Sequence, residues 1–212
     1  MPLAAVLTSK HGPGKRWLDL VLASTGLLIL APLMVCLAAL IMIDSPGAPI
    51  YGQRRVGRLG VPFTLWKFRS MYAGSSQAIH HQASLDWFSG RPIGDRYKSE
   101  NDPRITRLGK YLRRASLDEL PQLLNVIKGE MSLVGPRPLM AYERLRYEDS
   151  YFERELVRPG VTGLWQVSGR DRLSAQEMMA LDLRYVRGWS LIMDLTILAK
   201  TITAVLRDAR RA

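Results

Sequence analysis

At 212 residues the chain has room for one compact domain of ordinary size plus accessory segments, and its 47% hydrophobic content excludes a disordered tail. Lys and Arg number 30 against 19 Asp and Glu, a net charge of +11 that points to anionic partners: nucleic acid, acidic lipid or phosphorylated substrates. The single cysteine, Cys36, excludes an internal disulfide, and His11, His80 and His81 lack the spacing of metal ligands.

The opening MPLAAVLTSKHGPGK carries breakers and no period, which predicts a mobile arm. Leu20 to Ile43 is free of charge. As a helix it is about 36 Å long at ~1.5 Å per residue, enough to cross a bilayer. A cleaved signal peptide fits less well, because the run is too long and contains Pro32. Pro32 frees the carbonyl of Leu28 and predicts a kink, leaving halves that each reach about half of the ~30 Å hydrocarbon core. Lys10, Lys15 and Arg16 precede the run, and Arg54, Arg55, Arg58, Lys67 and Arg69 follow it. The preference of basic residues for the cytoplasm therefore draws both ends to one side. On these residues alone, a kinked crossing and a re-entrant hairpin stand even.

Asp44 to Gly60, rich in Pro and Gly, reads as a turn-rich exit from the membrane. PFTLWKFRSM reads as a strand with Phe63, Leu65 and Phe68 set against Thr64, Lys67 and Arg69. Residues 73–100 are polar and aperiodic, a peripheral and partly helical insertion without evident chemistry. After Pro103, ITRLGKYLRR predicts a basic helix whose Arg113 lies five residues before Asp118.

The stretch SLDELPQLLNVIKGEMSLVGPRP, 116–138, predicts a short helix and a rigid loop. Leu117, Leu120, Leu123, Leu124 and Ile127 form an apolar face, and Asp118, Gln122 and Asn125 line another. Ser116 and Glu119 have the form of a capping box, Pro121 fits a first turn, and Gly129 is a natural stop. The pair Asp118 and Glu119 at a helix start has two readings. It can simply cap the helix, or its first member can be a carboxylate nucleophile kept ionised by the helix dipole and nearby arginines. Arg137, between Pro136 and Pro138, is held extended and suited to gripping a phosphate through two parallel hydrogen bonds.

Met140 to Leu156 predicts a surface helix whose Glu143, Glu148, Asp149, Glu153 and Glu155 are solvated. VRPGVTGLWQVSGR predicts a loop with a short strand at Leu164 to Val167, bracketed by Arg158 and Arg170. Ser174 to Arg187 predicts a helix with Met178, Leu181 and Tyr185 on one side. Trp189 to Leu206 is apolar but interrupted by Asp194 and Lys200. It predicts an amphipathic helix on the headgroup layer, with Arg207, Arg210 and Arg211 meeting anionic lipid. A buried core helix is the alternative.

SLDELPQLLNVIKGEMSLVGPRP resembles the signature of the bacterial sugar transferases, the monotopic phosphoglycosyl transferases. KRWLDL, YGQRRVG, WKFRSM, DPRITRLGKYLRR and VRPGVTGLWQVSGR extend the resemblance over nearly the whole chain. It implies transfer of a sugar-1-phosphate from a nucleotide sugar, a UDP-sugar by family habit, to polyprenyl phosphate. It implies Asp118 as the nucleophile that carries the phospho-sugar, and Glu119 as a ligand for Mg²⁺ or a guide for the acceptor. Lys67, Arg69, Arg158 and Arg170 become candidate phosphate or nucleotide ligands beside Arg137 and Arg113. The resemblance also decides for the re-entrant hairpin with Pro32 at its break. Relatives often carry Ser-Pro there; Ala31-Pro32 offers the freed carbonyl no hydroxyl.

The expected architecture is mainly α with short β segments: an arm at 1–16, a re-entrant membrane helix at 17–46 and a catalytic domain with interfacial helices at 47–212. That domain is expected on the cytoplasmic face of the bacterial inner membrane, with a nucleotide sugar, polyprenyl phosphate and lipid as partners, as monomer or homodimer. A nucleic-acid binder would use the charge but leave the apolar run unexplained and shows no reading motif. A scaffold without turnover would leave the acid pair beside Arg137 without a purpose.

Overall fold

The computed structural model describes residues 12–75, 78–89, 102–146 and 149–209. Most of the expected arm, residues 90–100 of the expected insertion, and Arg210 and Arg211 lie outside the described residues.

The chain opens with a 32-residue helix, α1 (Pro13–Asp44), whose Pro13 sits in the first turn where its missing N–H costs nothing. Helical structure is unbroken through Pro32. Ala23, Leu37 and Ile41 are buried, on both sides of the proline, and pack the helix against the rest of the chain. Lys15 and Asp19 continue the same stripe. The opposite face leaves Trp17, Val21, Leu28, Ile29, Val35 and Ile43 more than half exposed.

An antiparallel hairpin follows, β1 (Ile50–Val56) and β2 (Pro62–Phe68), in register from Ile50 opposite Phe68 to Val56 opposite Pro62. Strand β2 matches the sequence expectation, with Phe63, Leu65 and Phe68 buried. Strand β1 lies in the stretch read as a turn-rich exit; its burial follows no alternation that sequence could display. Helix α2 (Ala78–Phe88) belongs to the expected insertion but is not wholly peripheral. Trp87 is buried, with its Nε1–H donated to the Leu173 carbonyl, and Ser84 is fully covered.

Helix α3 (Arg107–Arg114) is the expected basic helix, capped by the Thr106 hydroxyl, which accepts from the Gly109 N–H. The central stretch then divides. Ser116 takes a left-handed conformation (φ 55°), Leu117–Glu119 forms a 3-10 turn, and α4 (Gln122–Lys128) starts after Pro121. The expected capping box between Ser116 and Glu119 does not form, because Ser116 in that conformation makes no side-chain cap. Gly129 ends α4 at φ 84°, where a side chain would be strained.

Strand β3 (Ser132–Val134) pairs parallel with β4 (Gly160–Thr162). A Cβ added at Gly160 or Gly163 would overlap the Gly135 backbone, so these glycines let the Gly-Pro-Arg-Pro loop lie directly on β4. Two expectations fail nearby. Leu164 to Val167 is not a strand but part of the short helix α6 (Leu164–Ser168), the strand having ended at Thr162. Met140 to Leu156 is not one surface helix but the single turn α5 (Ala141–Arg144) and a 3-10 segment at Asp149–Leu156.

Helix α7 (Ala175–Gly188) carries a true capping box between Ser174 and Glu177, with Met178 and Tyr185 fully buried as expected. Helix α8 (Leu191–Ala209) buries Asp194, Ile197 and Ala204 and exposes Leu191, Ile192, Leu195 and Ile202. Asp194 is therefore no solvated interruption. Its carboxylate accepts from Lys15 Nζ at 2.7 Å, Tyr185 Oη at 2.7 Å and Trp189 Nε1 at 3.0 Å, fastening the start of α1 to α7 and α8.

Candidate active site

Asp118 and Glu119 sit on the 3-10 turn between α3 and α4, with Asp118 buried and Glu119 half-buried. Lys67 reaches across from β2, and its Nζ lies 2.7 Å from Glu119 Oε1. This pair is about a third exposed or less on each side, so the ion pair is modest in strength but fixes the Glu119 side chain. Arg170, itself left-handed at φ 51°, donates from Nη2 toward the Ser116 hydroxyl at 3.4 Å. Lys67 thus reaches Glu119, and Arg170 reaches the neighbouring Ser116, from distant parts of the chain.

A cleft of about 160 Å³ opens beside this turn, lined by Ser116, Glu119 and Arg170, by the polar side chains of Thr162, Gln166 and Thr201, and by apolar residues such as Leu123, Val161, Val167 and Val205. Arg113, half-buried in the last turn of α3, stands just before Ser116 and adds to the positive field that, after the dominant Arg104 contacts, holds Asp102 low.

Arg137 is held by a buried frame that the sequence did not reveal. Its guanidinium lies over the Trp165 ring, 5.7 Å from the centroid, and 3.9 Å from Glu143. Its carbonyl accepts from Arg154 Nη2, and its backbone N–H is bonded to Asp182, the carboxylate paired with Arg154. Burial pushes Asp182 upward despite Arg154. Glu143 is 1% exposed and not solvated as expected. It accepts from the Met140 N–H and the Ser84 hydroxyl and faces Arg55 at 3.7 Å. Burial would raise its pKa, but Arg137 and Arg55 outweigh that and hold it below the ordinary glutamate value. Arg55 also donates to the Pro138 carbonyl, so both sides of the loop are tied. Glu155, likewise expected in solvent, is buried against Arg144.

Two expected phosphate ligands are otherwise engaged. Arg69 is buried, and its guanidinium donates to the carbonyls of Ile41, Ser45 and Pro46, closing the C-terminus of α1. Arg158 donates from Nε to the Gly129 carbonyl, beside Arg16, which donates to Val126 and Ile127. Together they satisfy the carbonyl end of α4. Burial, then the Arg16 and Arg58 charges, push the Arg158 pKa below the ordinary arginine value. Lys67 pairs with Glu119, and Arg170 bonds to Ser116 and lines the same cleft as Glu119. Among the described residues, no group of three or more His, Cys, Asp or Glu gathers as a metal cage.

A family model described as bacterial sugar transferase matches residues 10–208. The chain is 47% identical over 196 residues to a UDP-galactose-lipid carrier transferase of Erwinia amylovora, covering 91% of this chain and 40% of that protein. It is 43% identical over 200 residues to the exopolysaccharide production protein ExoY of Rhizobium meliloti, covering 92% and 86%. It is 44% identical over 193 residues to an undecaprenyl-phosphate galactose phosphotransferase of Salmonella typhimurium, covering 91% and 40%. The chain therefore spans about two fifths of the first and third of these relatives and most of the second.

Proposed function

The chain belongs to the bacterial sugar transferase family, and on that premise we propose that it transfers a sugar-1-phosphate from a UDP-sugar to undecaprenyl phosphate. The names of its relatives, which pair UDP-galactose or undecaprenyl phosphate with transferase activity, support both substrates. The observation that carries the proposal is the buried Asp118 beside a Glu119 fixed by Lys67, at a cleft that Arg170 also lines.

A carboxylate oxygen of Asp118 attacks the phosphorus that bears the sugar. The bond from that phosphorus to the bridging oxygen breaks, and its electron pair leaves with uridine monophosphate. The phospho-sugar then rests on Asp118 as an acyl phosphate. A phosphate oxygen of the acceptor attacks the same phosphorus, and the Asp118 carboxylate departs with the electron pair. Arg170 stabilises negative charge on the phosphoryl oxygens and Lys67 holds Glu119 in place, while the grip of Arg137 on a substrate phosphate follows from its sequence setting between two prolines.

Asp118 and Glu119 suit Mg²⁺, an ion that takes one or two carboxylates together with substrate phosphates rather than an all-protein cage. Bound by these residues, Mg²⁺ would neutralise charge on the transferring phosphate.

The helix α1 lies within one leaflet of the inner membrane as a re-entrant segment, and the catalytic part faces the cytoplasm. Support comes from its two ends. Lys15 and Asp19 bond to β3, α7 and α8, while Arg69 grips the last carbonyls and Asp44 accepts from the Leu108 N–H. A straight crossing would carry those ends about 48 Å apart, to opposite sides of a bilayer. The exposed apolar faces of α1 and α8 supply the lipid contact, with α8 lying in the interface.

Release of uridine monophosphate from a panel of UDP-sugars, measured with enzyme, Mg²⁺ and undecaprenyl phosphate, tests the proposal. Release with at least one sugar, dependent on the lipid for turnover, is expected. No release from any nucleotide sugar contradicts it.

A further inference from the structure

Three cations gather at the carbonyl end of α4, the end remote from the acid pair. Arg158 Nε lies 2.7 Å from the Gly129 carbonyl oxygen. Arg16 donates from Nη1 to Val126 and from Nη2 to Ile127, and its Nη2 stands 3.4 Å from where a Cβ on Gly129 would be. Both guanidiniums therefore bear on one residue. Lys128, exposed and next in the chain to Gly129, has its Nζ 5.8 Å from the Trp66 ring centroid.

Like charges placed so closely repel unless something offsets them. The carbonyl end of a helix supplies about half a negative charge, too little for three cations. The nearby carboxylates are committed elsewhere. Asp19 accepts from the Ser132 hydroxyl and the Leu133 N–H, and Glu130 accepts from the Asn125 side chain. Among the described residues, neither forms an ion pair with Arg16, Lys128 or Arg158. Burial, then the charges of Arg16 and Arg58, push the Arg158 pKa down, and Asp19 opposes this only in part. A guanidinium presents a fork of N–H donors. Arg158 spends Nε alone, and its Nη groups meet no acceptor among the described residues.

The apolar face of α1 begins at the same place. Trp17, beside Arg16, is 68% exposed, and the face continues at Val21 and Leu28, i+4 and i+11 on the same side. An indole at the start of such a face marks the level of lipid headgroups. A free anion would use the cations and leave this apolar surface idle. A zwitterionic headgroup would bring an ammonium among three cations.

We propose that Arg16, Lys128 and Arg158 hold the headgroup phosphate of an anionic phospholipid, whose acyl chains lie along the exposed face of α1. Guanidinium forks suit a phosphate through parallel hydrogen bonds. The site lies apart from the cleft at Glu119, so its occupant is a structural lipid and not a substrate. The proposal rests on the membrane placement of α1 given above.

The test irradiates full-length wild-type enzyme in detergent with a short-chain phosphatidylglycerol bearing a diazirine in its headgroup. Label is expected on peptides holding Arg16 and Trp17, Lys128 and Gly129, or Arg158. Unlabelled phosphatidylglycerol should displace it at a concentration at least tenfold below that of phosphatidylcholine, inorganic phosphate or UDP-sugar. Equal displacement by phosphatidylcholine overturns the charge selection, and equal displacement by inorganic phosphate or UDP-sugar marks a site for soluble anions and overturns the lipid assignment. Label confined to other peptides also overturns it. Lys128→Gln removes an exposed charge without touching the α4 carbonyls. It should weaken phosphatidylglycerol binding about fivefold while melting like wild type, and unchanged affinity contradicts the site. Both arms use short-chain lipid in detergent without turnover. Their failure is therefore distinct from failure of the transferase reading, which uridine monophosphate release reports, and of the α1 topology, which thiol labelling in cells reports.

Discussion

Replacing Lys15 by Met strands a carboxylate in the core. The Lys15 side chain is 4% exposed and that of Asp194 1%, and the ammonium also donates to the Val134 carbonyl and the Tyr185 hydroxyl. Removing one partner of such a pair costs about 3–5 kcal/mol. Asp194 keeps its hydrogen bonds from Tyr185 and Trp189, so the lower end, ~3 kcal/mol, is expected. For a chain of this size that corresponds to about 6–12 °C in Tm at ~2–4 °C per kcal/mol. The double variant Lys15→Met with Asp194→Asn removes the stranded charge and keeps an acceptor for Tyr185 and Trp189. It should regain ~1–2 kcal/mol over the single variant. Thermal unfolding in detergent, followed by tryptophan fluorescence, reads both, and Trp189 lies within the network. A single variant that melts within about 2 °C of wild type, or a double variant no more stable than the single, refutes the coupling of α1 to the globular part through this pair.

Arg69→Ala should lower stability by about 2–3 kcal/mol, because it leaves the carbonyls of Ile41, Ser45 and Pro46 without their donor. The KM for the UDP-sugar in the folded fraction should not change; normal melting with a raised KM would return Arg69 to the phosphate site. The depressed pKa of Glu143 makes its contribution complete above the ordinary glutamate range and lost as pH falls through the lower folded value. Tm should therefore decline with acidification below about pH 4.3, and Glu143→Gln should flatten that limb; parallel profiles would contradict the role given to Arg137 and Arg55. Cysteines placed at Ser9 and Ser70 in a Cys36→Ser background should both resist an impermeant thiol reagent in whole cells and react after lysis. External labelling at position 9 would mean that α1 crosses the membrane.

What was legible in the sequence was mostly local. The alternation of Phe63 and Leu65, the helical spacing of Met178 and Tyr185, and Gly129 after Lys128 each express a backbone preference within a few residues. The acid pair was legible because it lies on one turn, and Lys67 and Arg170 were added by resemblance. The arginines show the limit. Arg69, Arg158 and Arg137 look alike in sequence, yet the first two close the C-termini of helices through carbonyls 23 to 29 residues away in the chain. Nothing near Arg69 announces the end of α1. The frame of Arg137 was missed for the same reason: Arg55, Glu143, Arg154 and Asp182 meet only in the fold. Glu143 in particular lies on a one-turn helix, too short to display a buried face as a period.

The claim that Asp118 carries the phospho-sugar is tested most directly by intact-protein and peptide mass spectrometry after mixing enzyme with a productive UDP-sugar and Mg²⁺ in the absence of acceptor. A mass gain of one phospho-sugar is expected on the peptide containing Asp118, discharged on adding undecaprenyl phosphate and missing in Asp118→Asn, which still melts like wild type. An adduct that persists in Asp118→Asn, or turnover undiminished in that variant, would contradict it.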